Sequence, residues 1–275
     1  MKCGIIGTGN MGQVLIHAFI QSHLLVEEEL HIHNRSQDKA FHIKENYPFI
    51  HVEQSIEEVI NKTDIIFLCV KPKQMIPILK KMNKKLTSNQ LLVSITSALS
   101  VPEIESLVDC QVARMIPSIT NQALAGVTLI TFGTSIDNER KEILLKSARY
   151  FSEPVIIEEE IIRISSDMVS CGPAFFSYFA QKYIQAASES TAISTQHATL
   201  LIEKMLIGLG TLLQQGHFTL EELIEKVTVA GGITGVGIES LEKNQKQLFY
   251  DLIDKTHEKF YQEKKHLTDA IQKHD

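Results

Sequence analysis

Three glycines at the spacing G-x-G-x-x-G, in Gly7-Thr8-Gly9-Asn10-Met11-Gly12, follow the apolar run Cys3–Ile6 and precede an amphipathic stretch. With a strand before it and a helix after it, this spacing gives each glycine a task in holding a pyrophosphate. Gly7 permits the tight turn, Gly9 lets the backbone approach the anion, and Gly12 lets helix pack closely on strand. The unpaired N–H groups of the helix start then face the phosphates, with Thr8, Asn10 and Met11 completing the loop. The chemistry so positioned is that of a dinucleotide.

Which dinucleotide is decided at the end of the second strand, where an Asp or Glu would hold the ribose hydroxyls of NAD. Here the sequence reads His31-Ile32-His33-Asn34-Arg35-Ser36, without an acid. Glu27, Glu28 and Glu29 precede the strand and lie at its wrong end. Arg35, with Asn34, Ser36 and Lys39, offers a positive, hydrogen-bonding cradle for a 2′-phosphate, which predicts NADPH in preference to NADH. Two later strands end in Val70-Lys71-Pro72 and Ser94-Ile95-Thr96-Ser97. Ligands of doubly wound sheets bind outside the carboxyl ends of strands where the strand order reverses. Val70, Lys71 and Pro72 are therefore expected to face the cofactor, and Thr96 and Ser97 are small enough to admit a nicotinamide ring.

A second loop, Ala230-Gly231-Gly232-Ile233-Thr234-Gly235-Val236-Gly237, carries four glycines in seven positions between two helical patterns. Permissive residues before a helix start make a backbone nest suited to a carboxylate; a tight interhelical turn would use the same glycines. The eleven histidines show no metal-ligand spacing, so no metal is expected. Phe175, Phe176, Tyr178 and Phe179 follow helical spacing and read as core or dimer interface.

The elements that must position these residues follow from the hydrophobic pattern. From Lys2 to Ile157, short β-type runs (Lys2–Ile6, Leu30–His33, Ile65–Val70, Leu91–Ile95, Val112–Met115, Val127–Thr131, Val155–Ile157) alternate with helical stretches, the signature of a parallel sheet covered by helices. After Glu158 the β-type runs stop, and helical patterns cover Ala174–Ser190, Thr195–Gln215, Leu220–Lys226 and Ile238–Lys273. The predicted fold is α/β: a Rossmann-like doubly wound sheet over residues 1–158, then an all-α domain over 159–275. A chain of 275 residues is long enough for two cores. A net charge of −6 provides no basic excess for nucleic acid. The apolar runs are too short to cross a bilayer, no signal peptide is visible, and the scattered cysteines read as reduced thiols, all of which predicts a cytoplasmic protein.

Taken in order, Gly7–Gly12, Val70-Lys71-Pro72, Ala113-Arg114-Met115-Ile116-Pro117, Cys171-Gly172-Pro173-Ala174 and Gly231-Gly232-Ile233-Thr234 through Leu241-Glu242 resemble the pyrroline-5-carboxylate reductase family, including its late competence branch. The resemblance implies reduction of the imino acid 1-pyrroline-5-carboxylate to L-proline by hydride transfer from NADPH to the imine carbon, in a homodimer or higher homo-oligomer formed through the helical domain. It implies that backbone N–H groups around Gly231, Gly232, Ile233 and Thr234 receive the substrate carboxylate. The Thr234 hydroxyl would bond the ring nitrogen. Departures cluster in the substrate half. Val229-Ala230 stand where the family has Ser-Pro, Ser118-Ile119-Thr120 where it has Asn-Thr-Pro, Cys171 where a serine is usual, and His217 where an acid is often found. A dinucleotide-binding regulator that has lost efficient chemistry fits those departures. A third reading, a β-hydroxyacid dehydrogenase, would need a catalytic lysine early in the helical domain, for which Lys182 is the candidate.

Overall fold

The computed structural model describes residues 1–272; Lys273, where the last helical pattern runs out, lies outside them. The elements of the first part are β1 (Cys3–Ile6), α1 (Asn10–Gln21), β2 (Leu30–His33), α2 (Gln37–Asn46), β3 (His51–Val52), α3 (Ile56–Lys62), β4 (Ile65–Leu68), α4 (Pro72–Asn83), β5 (Leu91–Ser94), α5 (Val101–Glu105), β6 (Gln111–Ile116), β7 (Val127–Phe132), α6 (Asn138–Arg149) and β8 (Glu153–Ile156). They build one sheet in the order β3-β2-β1-β4-β5-β6-β7-β8. β1, β4 and β5 are buried at every residue, which is why they read as unbroken apolar runs with no alternation. The strand order reverses between β1 and β4, so the crevice anticipated from the sequence lies at their carboxyl ends.

Two features of the sheet depart from the sequence reading. β3 is a two-residue strand paired with β2, too short to leave a periodic signal. β7 runs antiparallel to β6, and β8 lies parallel to β7, so the sheet is not wholly parallel. The link from β6 to β7 holds only a 3₁₀ turn, Ile119–Ala123, and a parallel return needs a longer crossover.

Beyond the sheet come α7 (Ile162–Ser166), a π-helical turn at Asp167–Cys171, α8 (Gly172–Ser190), α9 (Thr195–Gln214), α10 (Leu220–Val227), α11 (Ile233–Asn244) and α12 (Leu248–Gln272). The single helical pattern expected from Ile238 onward is two helices. Asn244 ends the first of them, its side-chain amide donating to the Ser240 carbonyl at 2.8 Å in competition with the helix ladder. The chain divides into two compact units, one of residues up to Pro173 together with those from Thr256 onward, the other Ala174–Lys255. This division falls after the Glu158 change in texture because Ile162, Phe260 and Leu267 are buried in the same apolar cluster as β4, β5 and α4.

The opposite face of the sheet centres on Phe19, whose ring lies 5.1 Å from that of Phe67 and 5.5 Å from that of Phe151. In the helical unit the balance differs. α9 buries only Ala198, while Leu201 is 60% exposed and Ile207 62%. A helix that is apolar around most of its circumference is built to be covered. Among the described residues, no helix is long and apolar enough to cross a membrane.

Phe19→Ala removes the centre of the first cluster and is expected to cost about 3–5 kcal/mol in urea unfolding. A loss below about 1 kcal/mol would show that the three-ring cluster is not where the sheet's stability resides.

Candidate active site

At the turn from β1 to α1 the glycines are used in different ways. Gly7 has φ +99°, and a Cβ there would overlap the Cys69 carbonyl; a Cβ on Gly12 would overlap the Gly7 carbonyl oxygen. A Cβ on Gly9 would meet nothing within 4 Å. The first two glycines are thus demanded by the fold, whereas the openness at Gly9 leaves room for a ligand to lie against the backbone. Gly9 is also the N-cap of α1 and makes no side-chain cap; no acid occupies the first turn, which starts at Asn10 and Met11. That helix start is left with backbone N–H groups that no side chain caps and no acid opposes, the arrangement at which anions bind.

Thr8 is buried, and its N–H donates to Asn34 Oδ1 at 3.2 Å. The Asn34 amide in turn donates to the Ser36 carbonyl at 3.0 Å. Asn34 therefore ties the two loops together through its amide oxygen and folds its own loop through its amide nitrogen. Ser36, the N-cap of α2, does not spend its hydroxyl on capping. Arg35, Ser36 and Lys39 are exposed along one wall of a cleft of ≈ 590 Å³, floored by Gly7, Gly9 and Cys69. The opposite wall is Val70, Lys71, Lys73 and Gln74. Lys71 occupies the N-cap position of α4 without a side-chain cap, and Pro72 takes the first helical position, where a missing N–H costs nothing. The volume suits a cofactor. No acid lines the cleft, and among the described residues none of its four cations is paired with one. Glycines, an uncapped helix start and unneutralised cations fit a phosphorylated dinucleotide; Lys73 and Gln74 are lining residues that carry no motif signal of their own.

After β5, Thr96 Oγ1 accepts from the Ala98 N–H at 3.3 Å, folding the 95–100 loop back on itself. The loop's far end is held from β6. Arg114, with no exposed surface, donates to the Leu99 carbonyl at 3.4 Å and pairs with Glu159 at 2.8 Å, while Glu159 accepts from the Val101 N–H at 3.0 Å. The altered segment after Pro117 is a closed structure of its own: buried Asn121 accepts from the Ser118 N–H at 2.7 Å and donates to the Ala125 carbonyl at 3.0 Å. Ser118 Oγ then donates to the Val169 carbonyl, and Ser170 Oγ to that of Pro117, each at 2.8 Å.

Within the helical unit, Gly231 has φ +70°, and Gly232 is the uncapped N-cap of α11. Ile233 is 93% exposed and Thr234 is exposed beside it in the first turn. Gly231, Gly232, Ile233 and Thr234 therefore form a second open helix start of the kind that receives an anion. Lys182 stands exposed on α8, donating to Gln185 at 3.2 Å and lying 5.5 Å from the Tyr178 ring.

Folding also brings together three residues that sequence spacing separates. His31, His51 and Glu53 each place one nitrogen or oxygen within 4.8 Å of the others. Glu53 accepts from His31 at 2.7 Å and from the Lys62 ammonium at 2.6 Å. The two imidazole rings stack at 4.5 Å with 14° between their planes, so their in-plane lone pairs do not converge on one point. With its carboxylate already neutralised by Lys62, the group is an ion network that pins the edge strand β3. Burial pushes the Glu53 carboxyl up, but the hydrogen bonds from Lys62 and His31 outweigh it and hold it at about 2.

A relative from Bacillus subtilis, ComE operon protein 4, is 45% identical over 94% of this chain and 95% of its own length. A second B. subtilis relative, pyrroline-5-carboxylate reductase 3, is 26% identical over the same shares. The model described as NADP oxidoreductase, coenzyme F420-dependent, matches residues 2–98, and that for pyrroline-5-carboxylate reductase dimerisation matches 159–263, beginning where the β-type texture of the sequence ends. The chain belongs to the pyrroline-5-carboxylate reductase family. A crystal structure of Plasmodium falciparum pyrroline carboxylate reductase with NADP bound shares the fold at a TM-score of 0.82, with 23% identity, covering 97% of this chain and 98% of that one.

Gly9→Ala and Gly12→Ala should separate ligand room from fold room. Gly9→Ala is expected to leave the melting temperature unchanged and weaken NADPH binding at least about tenfold, whereas Gly12→Ala lowers the melting temperature itself. Equal effects of the two on melting would remove Gly9 from the ligand surface. For Glu53, whose native value lies below the unfolded one of about 4.3, the contribution is complete above that pH and is lost as pH falls from it toward about 2. Glu53→Gln should therefore flatten the acid limb of stability against pH in that window; an unchanged limb would mean that the network is not formed in solution.

Proposed function

We propose that this chain is an NADPH-dependent reductase that converts 1-pyrroline-5-carboxylate to L-proline. The observation that carries the reading is the cleft at the β1–β4 reversal: a helix start left uncapped at Gly9, facing cations on both walls and no acid. The names of the relatives supply the substrate class.

When bound, the cofactor supplies a hydride. Every other task falls to the protein. The N–H groups following Gly9 hold the pyrophosphate, and Arg35, Ser36 and Lys39 surround the 2′-phosphate, Arg35 as a planar fork matched to its oxygens. Gly231, Gly232 and the first turn of α11 receive the substrate carboxylate. The Thr234 hydroxyl accepts a hydrogen bond from the protonated imine nitrogen, which keeps its proton, and so fixes the ring. A protonated imine is already electrophilic, so the protein's contribution is orientation and a fixed electrostatic frame. The largely exposed apolar surface of α9 supports a homodimer formed through the helical unit. The four free cysteines, three of them buried, suit a reducing compartment, the cytoplasm.

A second reading, a dinucleotide-binding regulator without efficient turnover, draws on Val229-Ala230 before the paired glycines and on the 45% likeness to a ComE operon protein. One experiment separates them. Purified protein with NADPH and pyrroline-5-carboxylate should oxidise the cofactor, more efficiently than with NADH, and Thr234→Ala should lower kcat/KM by about 10²-fold while sparing NADPH affinity. Tight NADPH binding with no oxidation would leave the regulator standing.

A further inference from the structure

The start of α4 borders more than one open space. Besides the cofactor cleft, a second cavity of ≈ 630 Å³ lies between α4 and the last turns of α12, both in the same compact unit. Lys71, Lys73, Gln74 and Pro77 line both cavities, so the first turns of the helix are a wall that the two share. Ile76 and Leu267, each buried in the apolar cluster on that face of the sheet, form the floor of the second. Pro72, Pro77 and Ala270 complete an aliphatic lining with no aromatic ring in it.

The free charges around this lining are cationic. Lys71 and Lys73 are exposed at its rim, and among the described residues neither is paired with an acid. No acid occupies the first turn of α4. Glu263, the acid that reaches the cavity from α12, is engaged by the Lys259 ammonium at 3.2 Å on its own helix. An aliphatic pit beside uncompensated ammonium groups is complementary to a molecule with a hydrocarbon chain and an anionic head, because the chain leaves water while the head meets charge. The volume lies in the range of small-molecule sites. Without an aromatic ring, nothing in the lining favours a planar body.

We propose that this cavity binds a medium-chain aliphatic carboxylate, and that the carboxylate, by drawing Lys71 and Lys73 toward itself, weakens the hold of the neighbouring cleft on a phosphorylated cofactor. The shared wall suits that exchange. Pro77 has no N–H to give the Lys73 carbonyl, so the turn that carries both lysines is joined to the rest of α4 by one ladder bond fewer. Ammonium groups on flexible four-carbon stems also serve either side without moving the backbone. The site stands whatever the cofactor is; its coupling rests on the cleft being a dinucleotide site.

Calorimetry on the full-length protein tests both parts, with decanoate as the probe and decylamine, which has the same chain and the opposite charge, as its control. Decanoate should bind at least about tenfold more tightly than decylamine. It should weaken NADPH about two- to fivefold, to a limit reached when the cavity is full, and NADPH should weaken decanoate by the same factor. Ala270→Trp, which fills the cavity from a half-buried position, should abolish decanoate binding and leave NADPH affinity alone. Should that variant fail to fold, His266→Glu, which puts an acid on the exposed rim, should weaken decanoate at least about threefold at the same NADPH affinity. Equal affinities for the two amphiphiles, or decanoate binding untouched by either variant, overturn the site. A loss of NADPH affinity that grows without limit as decanoate rises means that decanoate sits in the cofactor cleft, and overturns it too. Decanoate binding found only below the concentration at which the protein self-associates would make the cavity a subunit contact, with the same result. Decanoate binding without effect on NADPH overturns the coupling and keeps the site, whereas binding of decanoate and no NADPH overturns the cleft reading and the coupling with it.

Discussion

No room exists for a methyl group between the Gly7 carbonyl and the Cα of Gly12, and the carboxyl edge of the sheet is organised around that contact. It lets α1 start hard against the end of β1, which aims the uncapped N–H groups along the crevice between β1 and β4. Everything placed around the crevice answers to this approach. The Cys69 carbonyl closes on Gly7 from β4, Asn34 ties the β2 loop to Thr8, and α4 starts beside them from Lys71. A wider separation of α1 and β1 would move the floor of the cleft while leaving its walls where they are.

Around this edge the protein keeps its buried charges in pairs. Arg114 with Glu159 and Arg163 with Asp167 hold the two ends of the same β5 loop, one from β6 and one from α7. Neither pair is well placed to add much to global stability, because each carries its own desolvation cost. Both fix backbone and hydroxyl groups that would otherwise be free to drift at the end of a short strand. The hydroxyls Ser118 and Ser170 do similar work between Pro117 and the π-helical turn, so the segment that departs from the family pattern is exchanged for another closed set of hydrogen bonds.

The glycine loop, the acid-free end of β2 and the Thr234 loop were legible in the sequence because each depends on a few residue types at short, fixed spacing. The central strands were legible for a related reason: burial on both faces leaves an unbroken apolar run. β3 was not, since two residues have no period and its hold comes from His31, Glu53 and Lys62, spread over three elements. The direction of β7 depends on what the preceding link can span and not on its own residues. Arg163 and Asp167 are an i,i+4 pair, but Ser97 and Thr256 lie far from them in the chain, and nothing in their individual surroundings announces that folding will join them to it. The break between α11 and α12 hinges on a single amide at Asn244, which hydrophobic periodicity passes over.

α9 has consequences beyond the site. A helix that buries one alanine and leaves Leu200, Leu201, Met205, Leu206 and Ile207 exposed is not a finished surface. Whatever covers it contributes to the free energy of the folded chain through its own free concentration, by mass action. In the proposed homodimer, where a second copy covers α9, dilution acts as a denaturant does, and the amount made in a cell becomes one of the determinants of its shape.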